Sequence, residues 1–257
     1  MEIDEAVEQI RKIFNIDYEF DKDCFVEFER KKKCQAYAID GSSIKLFDAY
    51  SFSIFARRVG YILADERKVK EKRVDDVSID IIYGENAEAK NDERREEEEY
   101  ELAKKCAKDG ILVLLDGCLR EKVNGIVGIS KKSGYKIGNV PMLFLIKKFG
   151  DKILPCKCWY YEMEKNIYAV KFHPYSRFVF RVDYTGNDVE EMLSEISALC
   201  NDVSYLGYPY PLAEIHKAVK ISQQEGNYLR YAMQQKAVEK GMEWENIFYD
   251  YHEYLEG

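Results

Sequence analysis

The chain has 257 residues, 46 % of them hydrophobic and 33 % charged, with a formal net charge of −8. That length can bury a sizeable core and predicts one domain over residues 1–257, with an N-terminal helix and a helical C-terminal part. No apolar run approaches the roughly 18 residues of a membrane span, and the opening MEIDEAVEQIRKIF is amphipathic and charged, so neither a membrane segment nor a secretory signal is predicted and a cytoplasmic protein is expected.

In chain order, hydrophobic periodicity predicts a helix over about 2–14, then a strand QAYAID at 35–40 that ends on Asp-Gly-Ser-Ser. A β-rich stretch follows at 50–63, then the basic run RKVKEKR at 67–73 in a hairpin or loop, and VSIDIIY at 77–83. A charged helix over about 86–108 leads to the buried strand ILVLLDG at 111–117 and to a glycine-containing turn region, VNGIVGISKKSG. A helix at about 140–149 precedes three strands in CKCWYYEM, IYAVKFH and RFVFRVDY. Helices at about 188–200, 210–224 and 228–240 close the pattern, which is an α/β or α+β layer fold around a mixed sheet.

The seven cysteines are odd in number and irregularly spaced, which fits reduced thiols rather than a disulfide framework. Cys156 and Cys158 form a C-x-C without a second pair or a nearby histidine, a weak metal signal better read as two residues on one strand face. Net acidity argues against a nucleic-acid partner, but the charge is segregated. Between 119 and 157 nine basic residues face only Glu121 and Asp151, whereas 85–101 is densely acidic.

Two strands end alike, Asp40 and Asp116 each closing an apolar run just before a glycine. Asp-Gly is ordinary turn chemistry, yet a pair of such endings brings two carboxylates to one lip of a sheet if the strands are neighbours. At about 100° per residue, Glu99 and Glu96 fall on the apolar stripe of the intervening helix, while Glu97 and Glu98 point away. Three converging carboxylates need a cation, and hard divalent ions such as Mg²⁺ or Mn²⁺ take oxygen ligands.

AIDGSS at 38–43, LLDGCL at 114–119, VGISKKS at 127–133, FRVDY at 180–184 and GYPYPLAEIHKAVKI at 207–221 together resemble, in order and local sequence, the NurA nuclease family. The resemblance implies an RNase H-like core, a homodimer, and Mn²⁺-dependent cleavage of DNA as a 5′-to-3′ exonuclease and endonuclease. It also implies work on single- and double-stranded DNA ends beside the hexameric translocase HerA, an ATPase of DNA end resection and repair. Asp40 and Asp116 match the family aspartates, and the helix glutamate falls within 96–99, where the stripe selects Glu99 with Glu96 in reserve. Lys131 matches a basic position that contacts the scissile phosphate. His216 matches the family histidine, as a metal ligand or a group that positions water or phosphate, and the family tyrosine is Tyr208 or Tyr210, with Tyr208 preferred. Family members are often longer, which makes this chain a compact version.

The expected chemistry is phosphodiester hydrolysis with two divalent ions, Mn²⁺ or Mg²⁺, held by Asp40, Glu99, Asp116 and His216. The alternatives are a non-catalytic subunit that holds DNA or docks on such a translocase, and an RNase H-like hydrolase acting on RNA. His173 and His252 are expected to be structural or solvent-facing, and the acidic, aromatic C-terminal WENIFYDYHEYLEG is expected to be a protein interface.

Overall fold

The computed structural model describes residues 3–14, 18–49, 51–121 and 123–248. The chain begins with α1 (Ile3–Phe14), β1 (Phe25–Glu27), β2 (Gln35–Asp48), β3 (Phe52–Asp65), β4 (Val69–Val74) and β5 (Ser78–Tyr83). The helix α2 (Ala87–Ala107) leads to β6 (Leu112–Asp116), β7 (Ile126–Ser130), the short β8 (Lys136–Ile137) and β9 (Val140–Pro141), and α3 (Met142–Ile153). Then come β10 (Trp159–Glu164), β11 (Ile167–Lys171), β12 (Phe180–Asp183), α4 (Val189–Ser197), α5 (Tyr210–Val219), α6 (Gln223–Glu239) and α7 (Trp244–Ile247). The main sheet has the order β1-β10-β11-β12-β7-β6-β2-β3-β4, with β5 also paired to β3. It is mixed, since β6 and β7 run parallel while β7 and β12 run antiparallel. The α/β class with a mixed sheet and flanking helices is the one the sequence predicts. Among the described residues no helix is long and apolar enough to cross a membrane.

The chain gathers into two compact units, one from 1–38, 62–71 and 103–213, the other from 39–61, 72–102 and 214–257. In the first, a cluster of Phe25, Leu145, Ile146 and Trp159 packs α3 on β10. A Cβ at Gly150 would lie 2.5 Å from the Trp159 ring, so only glycine allows this approach. In the second, Leu46, Ile54, Ala56 and Ile221 form the core, covered by Trp244 and Phe248.

Three local expectations are corrected. The strand containing Asp40 does not stop at the Asp-Gly-Ser-Ser run but continues to Asp48, because each turn-forming residue finds a partner in the extended chain. Ser42 Oγ accepts from the Ile221 amide at 3.2 Å, and Ser43 Oγ accepts from Asn91 Nδ2 at 3.0 Å. The segment VNGIVGISKKSG holds the fully buried strand β7, its glycine required by contact rather than by a turn, since a Cβ at Gly128 would lie 2.6 Å from the Gly117 carbonyl oxygen. The helix predicted at 210–224 breaks after Val219, and Ser222 caps the start of α6 by accepting from the Glu225 amide.

The cysteine pair is not on one strand face either. Cys156 sits in a left-handed conformation (φ 57°) and is exposed, while Cys158 is buried with its thiol donating to the Phe172 carbonyl. The basic run at 67–73 forms the outer strand of a hairpin, β4. At the C-terminal end, Trp244 and Phe248 pack on Phe47, with centroids 5.0 and 4.9 Å away, while residues 249–257 of the aromatic tail expected to form an interface lie outside the described residues. His252 lies outside the described residues.

Candidate active site

In the second unit, Asp40 is the sixth residue of β2 and only 4 % exposed. Its Oδ1 accepts from the Gly41 amide at 2.8 Å, and its Oδ2 lies 2.7 Å from His216 Nδ1. Helix α5 fixes that histidine. Pro211 lies in the first turn, where a missing amide costs nothing. Leu212, Ile215 and Val219 are fully buried, while the imidazole side chain on the next face is 57 % exposed. That edge position beside the buried stripe lets an anchored helix offer an imidazole to a buried carboxylate.

Glu99 lies beside this pair at 2 % exposure. A Cβ at Gly41 would stand 2.5 Å from Glu99 Oε1, so the glycine after Asp40 makes room for a second carboxylate. Glu99 accepts from Arg95 one turn earlier on α2. Burial pushes its carboxyl up to about 8 against the opposing pull of Arg95, and the charge of Asp40 pushes the same way. Glu96 is half-buried and Glu97 exposed. Glu98 corrects the stripe reading, since it does not point to solvent but accepts from Arg57 at 3.0 Å, a buried guanidinium that also binds Asp80 and Asn91.

In the first unit, Asp116 ends β6 and accepts from Lys131 Nζ at 2.6 Å. The same ammonium stands 4.9 Å from the centroid of the Tyr208 ring. Tyr208 is buried and packs on Phe180, whereas Tyr210 turns elsewhere and donates its hydroxyl to the Asp65 carbonyl at 2.7 Å. Of the two tyrosines, Tyr208 is the one beside Lys131. His173, half-buried, accepts from the Tyr175 amide, the structural role expected of it.

Sequence reading missed Asp183. Buried on β12 opposite Gly128, it accepts from Arg181 at 2.7 and 2.9 Å and from the Leu119 amide at 3.0 Å, and so pins the loop that leaves Asp116. FRVDY carried the signal, an Arg and an Asp two apart on one strand face, but only the fold puts the Leu119 amide within reach. Asp183→Ala should lower stability by about 2 kcal/mol, less than for a fully buried pair because Arg181 keeps some solvent contact. Urea unfolding reads this out, and an unchanged midpoint would show that the loop does not depend on Asp183.

The NurA domain model matches residues 34–168 and 160–221, most of the chain. The chain belongs to the NurA family. Among solved structures, the NurA nuclease from Sulfolobus solfataricus is similar over 95 % of this chain and 96 % of its own, at 17 % identity and a TM-score of 0.69. A NurA with manganese is similar over 88 % and 96 % at 12 % identity (TM-score 0.67), and a NurA bound to dAMP and manganese over 87 % and 92 % at 12 % identity (TM-score 0.53). At these identities the likeness shows a shared NurA fold. The matches run over nearly all of both chains, so this chain is not a shortened version of these NurA structures. No curated protein matches the sequence.

Proposed function

We propose that the protein is a metal-dependent DNA nuclease that hydrolyses phosphodiester bonds. The observation that carries this reading is the buried Asp40 carboxylate held 2.7 Å from the exposed imidazole of His216, with a second buried carboxyl, Glu99, packed against the next residue of the strand. Acids this close cannot all ionise without a compensating positive charge.

In this reading the ligands of Mn²⁺ or Mg²⁺ are Asp40, Glu99 and His216, with Asp116 as a further carboxylate donor. Carboxylate oxygens suit hard divalent ions such as Mn²⁺ and Mg²⁺. Two bound ions would supply Lewis-acid activation of water and charge stabilisation at the leaving 3′-oxygen. Lys131, paired with Asp116, neutralises charge on the scissile phosphate. Tyr208 positions the Lys131 ammonium with its ring face. His216 orients through Asp40 and presents its exposed edge to the ion or to the phosphate. Family membership and the manganese- and dAMP-bound NurA structures support the metal and the nucleotide. The finer reading is 5′-to-3′ exonuclease and single-strand endonuclease activity on DNA ends, in a homodimer working with a hexameric HerA-type translocase.

The test is cleavage of end-labelled single- and double-stranded DNA and of matched RNA with Mn²⁺, Mg²⁺ or EDTA. Degradation of DNA that EDTA abolishes is expected. Equal or faster cutting of RNA would overturn the DNA assignment. A folded protein that cuts nothing, even with the translocase present, would make the chain a subunit that holds DNA without cleaving it.

A further inference from the structure

Beside the Lys131 ammonium, the first unit opens a cleft of about 710 Å³ lined by aromatic and aliphatic side chains, in which the charged side chains, Lys131 and Arg177, are cationic. Lys131 and Tyr208 are among its lining residues. Phe178 and Tyr175, 64 % and 72 % exposed, stand on the wall with the exposed Arg177 between them in sequence. We infer that this cleft is a nucleobase-binding subsite, which takes an unpaired base of the strand being cut by stacking it on Phe178 and Tyr175. The inference rests on the nuclease reading for the identity of the strand.

The backbone that carries the aromatic wall is braced by hydrogen bonds, and that is what separates it from an incidental exposed patch. Ser176, itself buried, donates to the Phe178 carbonyl at 2.9 Å and accepts from the Phe178 amide at 3.1 Å. Its own amide donates to the His173 carbonyl at 2.9 Å. Gly207, at φ 90°, lets the opposite loop close over this serine, since a Cβ there would lie 2.3 Å from Ser176 Oγ. The main chain of the loop that carries the two rings is thus held by its own hydrogen bonds, which cuts the backbone ordering cost of binding. A flat π-face accepts any base, and stacking on such a ring contributes sequence-independent affinity. The charges choose the occupant. Lys131 and Arg177 complement a phosphodiester backbone, and the cleft is continuous with the residue assigned to the scissile phosphate, so a base joined to that phosphate needs no second anchor. A base inside a duplex keeps its faces covered by its neighbours, so the subsite selects unpaired or frayed ends.

The test uses the full chain and a single-stranded oligonucleotide carrying 2-aminopurine, whose emission falls on stacking, first in EDTA so that nothing is cut. Binding should quench the probe. The double variant Phe178→Ala, Tyr175→Ala should lose the quench and bind roughly tenfold more weakly, and Phe178→Trp with Tyr175 intact should retain both. With Mn²⁺, the double variant should raise KM for single-stranded DNA by a similar factor and leave kcat unchanged. Both residues are exposed, so folding is not at risk. A wild type that quenches the probe yet cleaves nothing would overturn the nuclease reading and leave the subsite standing. A wild type that cleaves while the double variant keeps its quench, affinity and KM would overturn the subsite alone and give the aromatic wall to a protein partner. Absence of quenching in the wild type overturns it as well.

Discussion

Asp40→Asn lowers the rate of DNA cleavage roughly 10³-fold, at the upper end of what the loss of one charge-stabilising group costs in a water-excluded site, and leaves the melting temperature unchanged or raised. The two halves of this result have different causes. The activity falls because a carboxamide keeps the volume of the carboxylate but carries no charge, which makes it a poor ligand for a hard cation. Stability does not fall because Asp40 in the metal-free protein is a buried charge beside the buried Glu99, whose ionisation it opposes. The neutral amide removes that repulsion, and its oxygen still accepts from the Gly41 amide or from His216. Cleavage of end-labelled DNA and a thermal melt of the same preparation separate the two. Retained cleavage would remove Asp40 from the site, whereas lost cleavage with a collapsed melt would make its role structural.

Asp40 also shows which parts of the molecule are legible in the sequence. Its apolar run and the aspartate are plain, but the Asp-Gly-Ser-Ser that follows reads locally as a turn, and the alternative partners of Ser42 and Ser43 come from Ile221 and Asn91, far along the chain. Gly41 illustrates the same limit, because its reason is Glu99 and not a backbone dihedral. Helices are easier to place. The stripe of α5 depends only on residues three and four apart, so periodicity by itself assigns Leu212, Ile215, Ala218 and Val219 to the core and His216 to its edge; the fold buries Leu212, Ile215 and Val219 fully and Ala218 only in part, with His216 exposed beside them. Strand β7 is lost in a glycine-containing run, because five consecutive buried residues have no alternation for periodicity to detect. Asp183 lies within a recognisable motif yet has no role there, since its decisive bond is to an amide 64 residues away.

Glu99→Gln is expected to slow cleavage roughly 10²-fold, while Glu97→Gln changes neither rate nor stability. The contrast with Glu98→Gln is sharper, because that glutamate has its own work. Glu98 accepts twice from the buried Arg57, and neutralising it leaves the guanidinium with Asp80 and Asn91, so Glu98→Gln should cost about 1 kcal/mol of stability, a half-exposed fraction of what a broken buried pair costs, with cleavage near wild type. Glu99→Gln should do the reverse. The carboxamide can still accept from Arg95, its volume is nearly that of the carboxylate, and the burial that disfavours an ionised carboxyl no longer applies, so the melt should hold while the rate falls. Measuring cleavage and unfolding for all three variants therefore yields three distinct outcomes from neighbouring residues of one helix. Equal effects on rate would show that the acidic run acts as a diffuse field. Loss of rate in Glu98→Gln alone would move the functional carboxylate one residue along α2, to the face that meets Arg57.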